Sequence, residues 1–146
     1  MPDAYREYFR YMEQLGGTLD QLSELAREKT AAVRRDDLLA VNECMKREQA
    51  LSLSLRALDR KRETLLAGMG LRDLKFSEFA RHCPEELRQE AKAAAEKLGK
   101  QYALYRSAAD VARTTLECNL HQIEKLLVDE PKAPMNGGGS IADIRA

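Results

Sequence analysis

Apolar residues recur at alternating steps of three and four in three successive segments of the chain. The first series is Tyr5, Tyr8, Met12, Leu15, Leu19, Leu22, Ala26 and Val33. This spacing gathers the apolar side chains on one face of an α-helix of the coiled-coil type. Lys29 interrupts one slot, and Gly16 and Gly17 should each weaken the helix locally by about 1 kcal/mol relative to alanine. We therefore expect a first helix over residues 4–34, with a kink or a frayed first segment near the glycines.

The second series has the same spacing and predicts a helix over residues 37–68. Its apolar members are Val41, Cys44, Leu51, Leu55, Leu58, Leu65 and Met69. Either Asp36 or Asp37 would serve as its N-cap, and Gly68 and Gly70 would end it. The following connector is predicted to form a short helical turn that directs Phe76 and Phe79 inward.

The third series is the longest and predicts a helix over residues 84–129. Pro84 suits the first helical position, where a missing N–H costs nothing, and Glu85 and Glu86 complement the positive end of the helix dipole. Two later prolines stop the helix. The apolar stripe is Leu87, Ala91, Ala94, Leu98, Tyr102, Tyr105, Ala109, Ala112, Leu116, Leu120, Ile123 and Leu127.

Short connections favour antiparallel neighbours, so the predicted fold is all-α: an elongated antiparallel three-helix bundle with a long C-terminal helix. The bundle domain is assigned to residues 1–130 and a flexible tail to residues 131–146. A register estimate gathers an aromatic cap at one end and pairs the second helix with the third. It also sets the first turn, near residue 36, level with residue 116. The cap comprises Tyr5, Phe9, Leu65, Phe76, Phe79 and Leu87.

In that register the third helix continues about a dozen residues beyond the first turn, an overhang of roughly 20 Å. Four large apolar residues would lie there with no helix of the same chain to cover them: Leu120, Ile123, Leu126 and Leu127. An exposed apolar helical stripe usually marks a partner-binding surface. Two alternatives remain open, namely a register that differs by a turn or two, and a homodimer that buries the stripe.

Polar residues also occupy core-type slots. Glu48 and Arg62 fall within the second apolar series, and the register brings Glu48 close to Arg106. Such groups can fix register and partner choice, or their long side chains can extend to solvent at a helix edge. We interpret Glu48 and Arg106 as an ordered pair that forms a structural polar core with Arg62, and Lys29 as a solvent-directed side chain.

Composition excludes several classes of function. Lysine and arginine number 24, as do aspartate and glutamate, so the formal net charge is zero and nucleic acid is not the expected ligand. No apolar run approaches the roughly 20 residues that span a bilayer, and the N-terminus does not resemble a secretory signal. Three widely spaced cysteines, Cys44, Cys83 and Cys118, indicate neither a disulfide framework nor a zinc site. A cytoplasmic protein without metal or cofactor is expected.

No catalytic constellation is present in the sequence. The two histidines, His82 and His121, have no serine or cysteine at a spacing that would suggest an activated nucleophile. The triplet GGG at 137–139 lies in the tail and does not join a strand to a helix, so it is expected to be a linker. We therefore predict that the protein is not an enzyme.

The order of these parts resembles the FlgN-type flagellar export chaperones over roughly residues 15–129. The resemblance is carried by a leucine-rich first helix, a DDLLAV turn, Glu48 before an Ala-Leu pair, Arg62 before a Leu-Leu pair, and an LAGMGL turn. The closing segment LECNLHQIEKLL, with Asn119, resembles the family's asparagine-plus-apolar segment.

This resemblance implies a cytoplasmic chaperone that binds hook-associated filament-junction proteins, by their C-terminal segments, before type III export. The substrate-binding part of the family is its C-terminal helical segment. In this chain that implies Leu116, Asn119, Leu120, Ile123, Leu126 and Leu127. Some relatives dock on the export apparatus through a C-terminal tyrosine, but this chain has no tyrosine after Tyr105.

Two hypotheses complete the sequence-based interpretation. The tail GGGSIADIRA carries Ile141 and Ile144, which could compete with a substrate for the same apolar stripe. The alternative function is a structural coiled-coil protein that forms a homodimer through that stripe.

Overall fold

A computed structural model describes residues 2–127 of the protein. Three long helices dominate this part of the chain: α1 at Pro2–Arg34, α2 at Leu38–Gly68 and α4 at Arg88–Leu126. A short helix, α3, covers Phe76–His82, and a 3₁₀ turn at Glu85–Leu87 leads into α4. No strand occurs within the described residues, and the predicted all-α fold is confirmed.

The first helix lies at the centre of the bundle. It packs along both α2 and α4, whereas the backbones of α2 and α4 come close at few points. Two hydrogen bonds show the relative directions of α1 and α4. Gln101 of α4 donates to Asp20 of α1. Further along both helices, Asn119 of α4 donates to Asp36 in the turn after α1. Thus α1 and α4 run parallel, and α2 runs antiparallel to both. Helices α2 and α4 approach each other less closely than the sequence-based pairing implied, although Glu48 of α2 lies near enough to Tyr105 of α4 to influence its pKa.

The end of the bundle near the start of α1 is closed by an aromatic cluster. Short helix α3 inserts Phe76 and Phe79, and both rings are fully buried against Tyr8 and Tyr11 of α1. The ring centroids of Tyr8 and Phe79 lie 4.3 Å apart, and those of Tyr11 and Phe76 lie 6.3 Å apart in a stacked arrangement. The inward orientation predicted for both phenylalanines, and the predicted aromatic cap, are therefore confirmed.

Arg62 of α2 fastens the connector to this cluster. Its guanidinium donates a hydrogen bond of 2.6 Å to the carbonyl oxygen of Leu74 and lies 4.1 Å from the centroid of the Phe76 ring. A planar cation can satisfy a carbonyl and cover an aromatic face at the same time. Burial raises the pKa of Tyr8, and the positive charge of Arg62, together with a hydrogen bond that its guanidinium donates to the phenol oxygen, opposes that rise. Arg62 thus has a structural role in positioning α3.

The turn between α1 and α2 closes the other end. Asp36 adopts a left-handed backbone with φ of 56°, and Asp37 is the N-cap of α2, its carboxylate accepting from the Ala40 N–H at 3.1 Å. The capping bond satisfies one of the free N–H groups of the first helical turn. Val33 and Val41 form a small core here with Ala32, which we call the satellite core.

Two local features differ from the sequence-based expectation. Helix α1 continues without interruption through Gly16 and Gly17, and at Gly16 a Cβ atom would collide with the side-chain amide of Gln101. Pro84 has an extended backbone, with ψ of 149°, and precedes the 3₁₀ turn instead of starting the long helix. The proline ring restricts the backbone just before the 3₁₀ turn, and Glu85 and Glu86 lie in that 3₁₀ turn.

Candidate partner-binding end of the bundle

The length of the overhang follows from one side-chain contact. The Asn119 amide of α4 donates to the Asp36 carboxylate in the α1–α2 turn at 3.3 Å. The turn is therefore level with residue 119, and not with residue 116 as the register estimate had it. Because α4 ends at Leu126, only seven further residues project beyond the turn, a distance of about 10 Å. The overhang is about half as long as predicted.

The six residues predicted from the family resemblance divide into two groups. Leu116, Asn119 and Leu120 are half-buried, and Leu116 packs against the satellite core. The expectation that Leu120 lacks any cover from its own chain was therefore wrong, because the overhang begins nearly a turn later. These three residues link α4 to the body of the bundle.

The other three residues, Ile123, Leu126 and Leu127, are exposed at the tip of α4. Leu38 and Leu39, which follow the N-cap of α2 at the same end, are exposed as well. The exposed fractions of these five residues range from 41% to 83%. We call Leu38, Leu39, Ile123, Leu126 and Leu127 the apolar end.

Sequence reasoning missed the contribution of α2 to this surface. Leu38 and Leu39 precede Val41, the first member of the buried stripe, and directly follow the capping residue Asp37. Two adjacent leucines in the first turn of a helix, outside the apolar periodicity, were the available signal. They point to a surface built from two helix ends and not from α4 alone.

Charges near the apolar end largely compensate one another. The Arg35 guanidinium bonds the Asp37 carboxylate at 3.3 Å, and the last turn of α4 carries both Glu124 and Lys125. Without a strong local field, apolar burial is the main attraction that this surface can offer. Complete burial of one large aliphatic side chain contributes about 1.5–3 kcal/mol. The ordering costs of association reduce the net gain.

Glu48 and Arg106 do not form the predicted pair. The Lys29 ammonium of α1 contacts both oxygens of Glu48, at 2.8 and 3.2 Å, while Arg106 is exposed on α4. The physical reason is the position of α1, which places Glu48 against the central helix. Lys29, predicted to extend into solvent, is held within the α1–α2 interface. Burial raises the pKa of Tyr105, and the negative charge of Glu48 adds to that rise.

The described residues offer no metal-binding group of histidine, cysteine and carboxylate side chains. Cys44 and Cys83 are buried, and burial raises the pKa of both thiols, whereas Cys118 is exposed. His82 and His121 lie on the surface. None of the helices between residues 2 and 127 is both long and apolar enough to cross a lipid bilayer.

The described residues form an all-α helical bundle with an exposed apolar end. Comparison with known families makes the assignment specific: the family described as FlgN protein matches residues 1–128. The chain therefore belongs to the FlgN family of flagellar export chaperones, as its sequence pattern had indicated. It is thus a chaperone of flagellum biogenesis and type III export. No curated protein sequence and no solved structure shows significant similarity to it.

Proposed function

We propose that this chaperone acts in the cytoplasm, where it binds the C-terminal segments of hook-associated filament-junction proteins through the apolar end before their export. The observation that carries this proposal is the exposure of five large aliphatic side chains at one end of the bundle. Family membership supplies the export role, and the exposed cluster supplies a surface suited to an apolar segment.

The proposed mechanism is non-catalytic. An amphipathic helix of the substrate lies against the last two turns of α4 and the first turn of α2, where it completes a local bundle. Ile123, Leu126 and Leu127 insert between its apolar side chains, as in other helix-on-helix complexes. The covered substrate segment is then unable to assemble prematurely, and the export apparatus receives it unassembled.

Titration of the full chain with C-terminal fragments of hook-associated proteins from the same genome tests the proposal. The informative variant is Ile123→Asp/Leu126→Asp, because both side chains are exposed and the body of the bundle should stay folded. Leu53→Asp is the matched control, since Leu53 is an exposed leucine in the middle of α2. We expect the double variant to weaken binding by at least about tenfold, and the control to bind like wild type.

Two results would overturn the proposal. One is equal binding by the wild type and by the double variant, with circular dichroism showing both folded. The other is no binding of any fragment, together with a stable dimer that the double variant abolishes. That second result would assign the apolar end to self-association, which is the structural coiled-coil alternative.

The tail from residue 131 to 146 lies outside the described residues, and its role is also a proposal. Its two isoleucines, Ile141 and Ile144, could occupy the apolar end in the absence of substrate. Deletion of residues 131–146 should then raise the affinity for a substrate fragment. An unchanged affinity would remove the idea of autoinhibition without affecting the proposed binding surface.

A further inference from the structure

A second apolar surface lies on the flank of the bundle, in a groove between α1 and α4. Helix α1 contributes Arg27, Thr30, Ala31 and Arg34, and helix α4 contributes Leu104, Ser107, Ala108 and Val111. The groove stops at Val111, twelve positions before Ile123, which corresponds to about 18 Å along α4. None of its lining residues belongs to the apolar end, and the proposed function does not use it.

The shape of the groove suits the side chains of another helix. Leu104 and Val111 are 58% and 46% exposed, and the small residues Ala31, Ser107 and Ala108 leave a depression between them. The depression encloses about 380 Å³, more than twice the roughly 150 Å³ of a cavity that accepts benzene. Helix packing of the knobs-into-holes type requires such a hole, bordered by residues of neighbouring turns.

The charge of the groove is one-sided. Its lining includes Arg27 and Arg34 but neither aspartate nor glutamate. Three carboxylates on the same two helices have other partners: Asp20 accepts from Gln101, Glu28 pairs with Arg47 at 3.2 Å, and Asp110 pairs with Arg113 at 2.6 Å. The two groove arginines are seven positions apart on α1, about 10.5 Å or two helical turns.

We propose that this groove docks an amphipathic helix of a partner protein, one that carries acidic side chains about two turns apart beside an apolar stripe. The apolar stripe would fill the depression between Leu104 and Val111, and the acidic side chains would pair with Arg27 and Arg34. Opposite charges at the rim would orient the helix and speed its association. The groove thus gives the chaperone a second binding surface that recognises charge as well as apolar shape.

A designed helical peptide can test the proposal on the full chain. The probe carries leucine and alanine on one face, flanked by two glutamates two turns apart, and a matched peptide carries lysines in their place. Fluorescence anisotropy of labelled peptide should show binding of the acidic probe and at least about tenfold weaker binding of the basic one. Added salt should weaken the acidic complex, because the arginines are exposed.

Two variants locate the probe. Arg27→Glu/Arg34→Glu should reverse the preference, so that the basic peptide binds more tightly than the acidic one. Leu104→Asp should weaken the binding of the acidic probe by about tenfold. Ile123→Asp/Leu126→Asp should leave the affinity of the acidic probe unchanged. This last variant separates the groove from the proposed substrate site, whose own test uses different ligands.

Three results would overturn the groove proposal, provided that circular dichroism shows the variants folded. The first is no binding of the acidic probe to wild type. The second is binding that reversal of Arg27 and Arg34 leaves unchanged. The third is binding that is lost in Ile123→Asp/Leu126→Asp, because the probe would then occupy the apolar end.

Discussion

The ion pair between Lys29 and Glu48 offers a direct test of the helix arrangement. The Lys29 ammonium lies 2.8 and 3.2 Å from the two carboxylate oxygens of Glu48, and the side chains are 15% and 30% exposed. The pair bridges α1 and α2 and is less exposed than the Arg47–Glu28 ion pair, which also joins these helices. Glu48→Ala would leave the Lys29 charge partly desolvated without its counter-ion, so the variant should lose stability.

The magnitude can be bracketed from the burial of the pair. Solvent-exposed pairs contribute about 0–1 kcal/mol, whereas removal of one partner from a fully buried pair costs about 3–5 kcal/mol. With both side chains mostly but not completely buried, we expect Glu48→Ala to lower the free energy of unfolding by about 1–2 kcal/mol. Replacement of both partners, as Lys29→Met/Glu48→Leu, should leave it within about 1 kcal/mol of wild type, because no charge stays unpaired.

A double-mutant cycle measured by urea unfolding, followed by circular dichroism, checks this expectation. Lys29→Ala and Glu48→Ala should show a coupling energy of about 1 kcal/mol. The matched control is Arg106→Ala, which should change stability by no more than about 0.5 kcal/mol and show no coupling to Glu48. Coupling of Glu48 to Arg106 instead of Lys29 would refute the central position of α1.

Three further predictions concern the fold. Gly17→Ala should stabilise the protein by about 0.5–1 kcal/mol, because the added Cβ meets no other atom. Gly16→Ala should stabilise it less, because its Cβ displaces the Gln101 side chain. Thermal unfolding that ranks the two variants in the opposite order would contradict this expectation. Arg62→Met should lower the free energy of unfolding, measured in urea, by about 1–3 kcal/mol. Arg62→Lys should recover only part of that loss, because an ammonium cannot reproduce the planar contact. Wild-type stability of Arg62→Met would refute the structural role of this residue. In the folded protein at neutral pH, a thiol reagent should modify Cys118 alone, because burial raises the pKa of the other two thiols and keeps them protonated; three rapidly reacting thiols would be inconsistent with this packing.

The helices could be predicted from the sequence because their determinants are local. The three-four spacing defines a buried face whatever the partner helix, and Asp37 caps α2 through its own neighbouring backbone. Register is not local. A stripe that repeats every seven residues fits its neighbours almost equally well after a shift of one turn, so the level of residue 119 could not be distinguished from that of residue 116. The turn also depends on the left-handed backbone of Asp36, and an aspartate in the sequence does not by itself predict that conformation.

The candidate site was harder to predict for a related reason. The apolar stripe of α4 is continuous from Leu116 to Leu127, and nothing in its spacing shows where cover by the bundle ends. That limit depends on the length of α1 and on the turn after it, and it leaves both Leu116 and Leu120 half-buried. Lys29 illustrates the same difficulty. A lysine at an apolar position can be explained only when its partner is known, and the helix register determines that this partner is Glu48.

The two ends of the bundle differ in how firmly they are packed. At one end, four fully buried aromatic rings, those of Tyr8, Tyr11, Phe76 and Phe79, pack together. At the other, the satellite core consists of one alanine and two valines, with Leu116 packed against them. Local opening costs least where the least apolar surface is buried, so the last turns of α4 should open before any other part of the bundle. The proposed partner helix would therefore reposition these turns at little cost, while the aromatic cluster keeps the opposite end of the bundle packed.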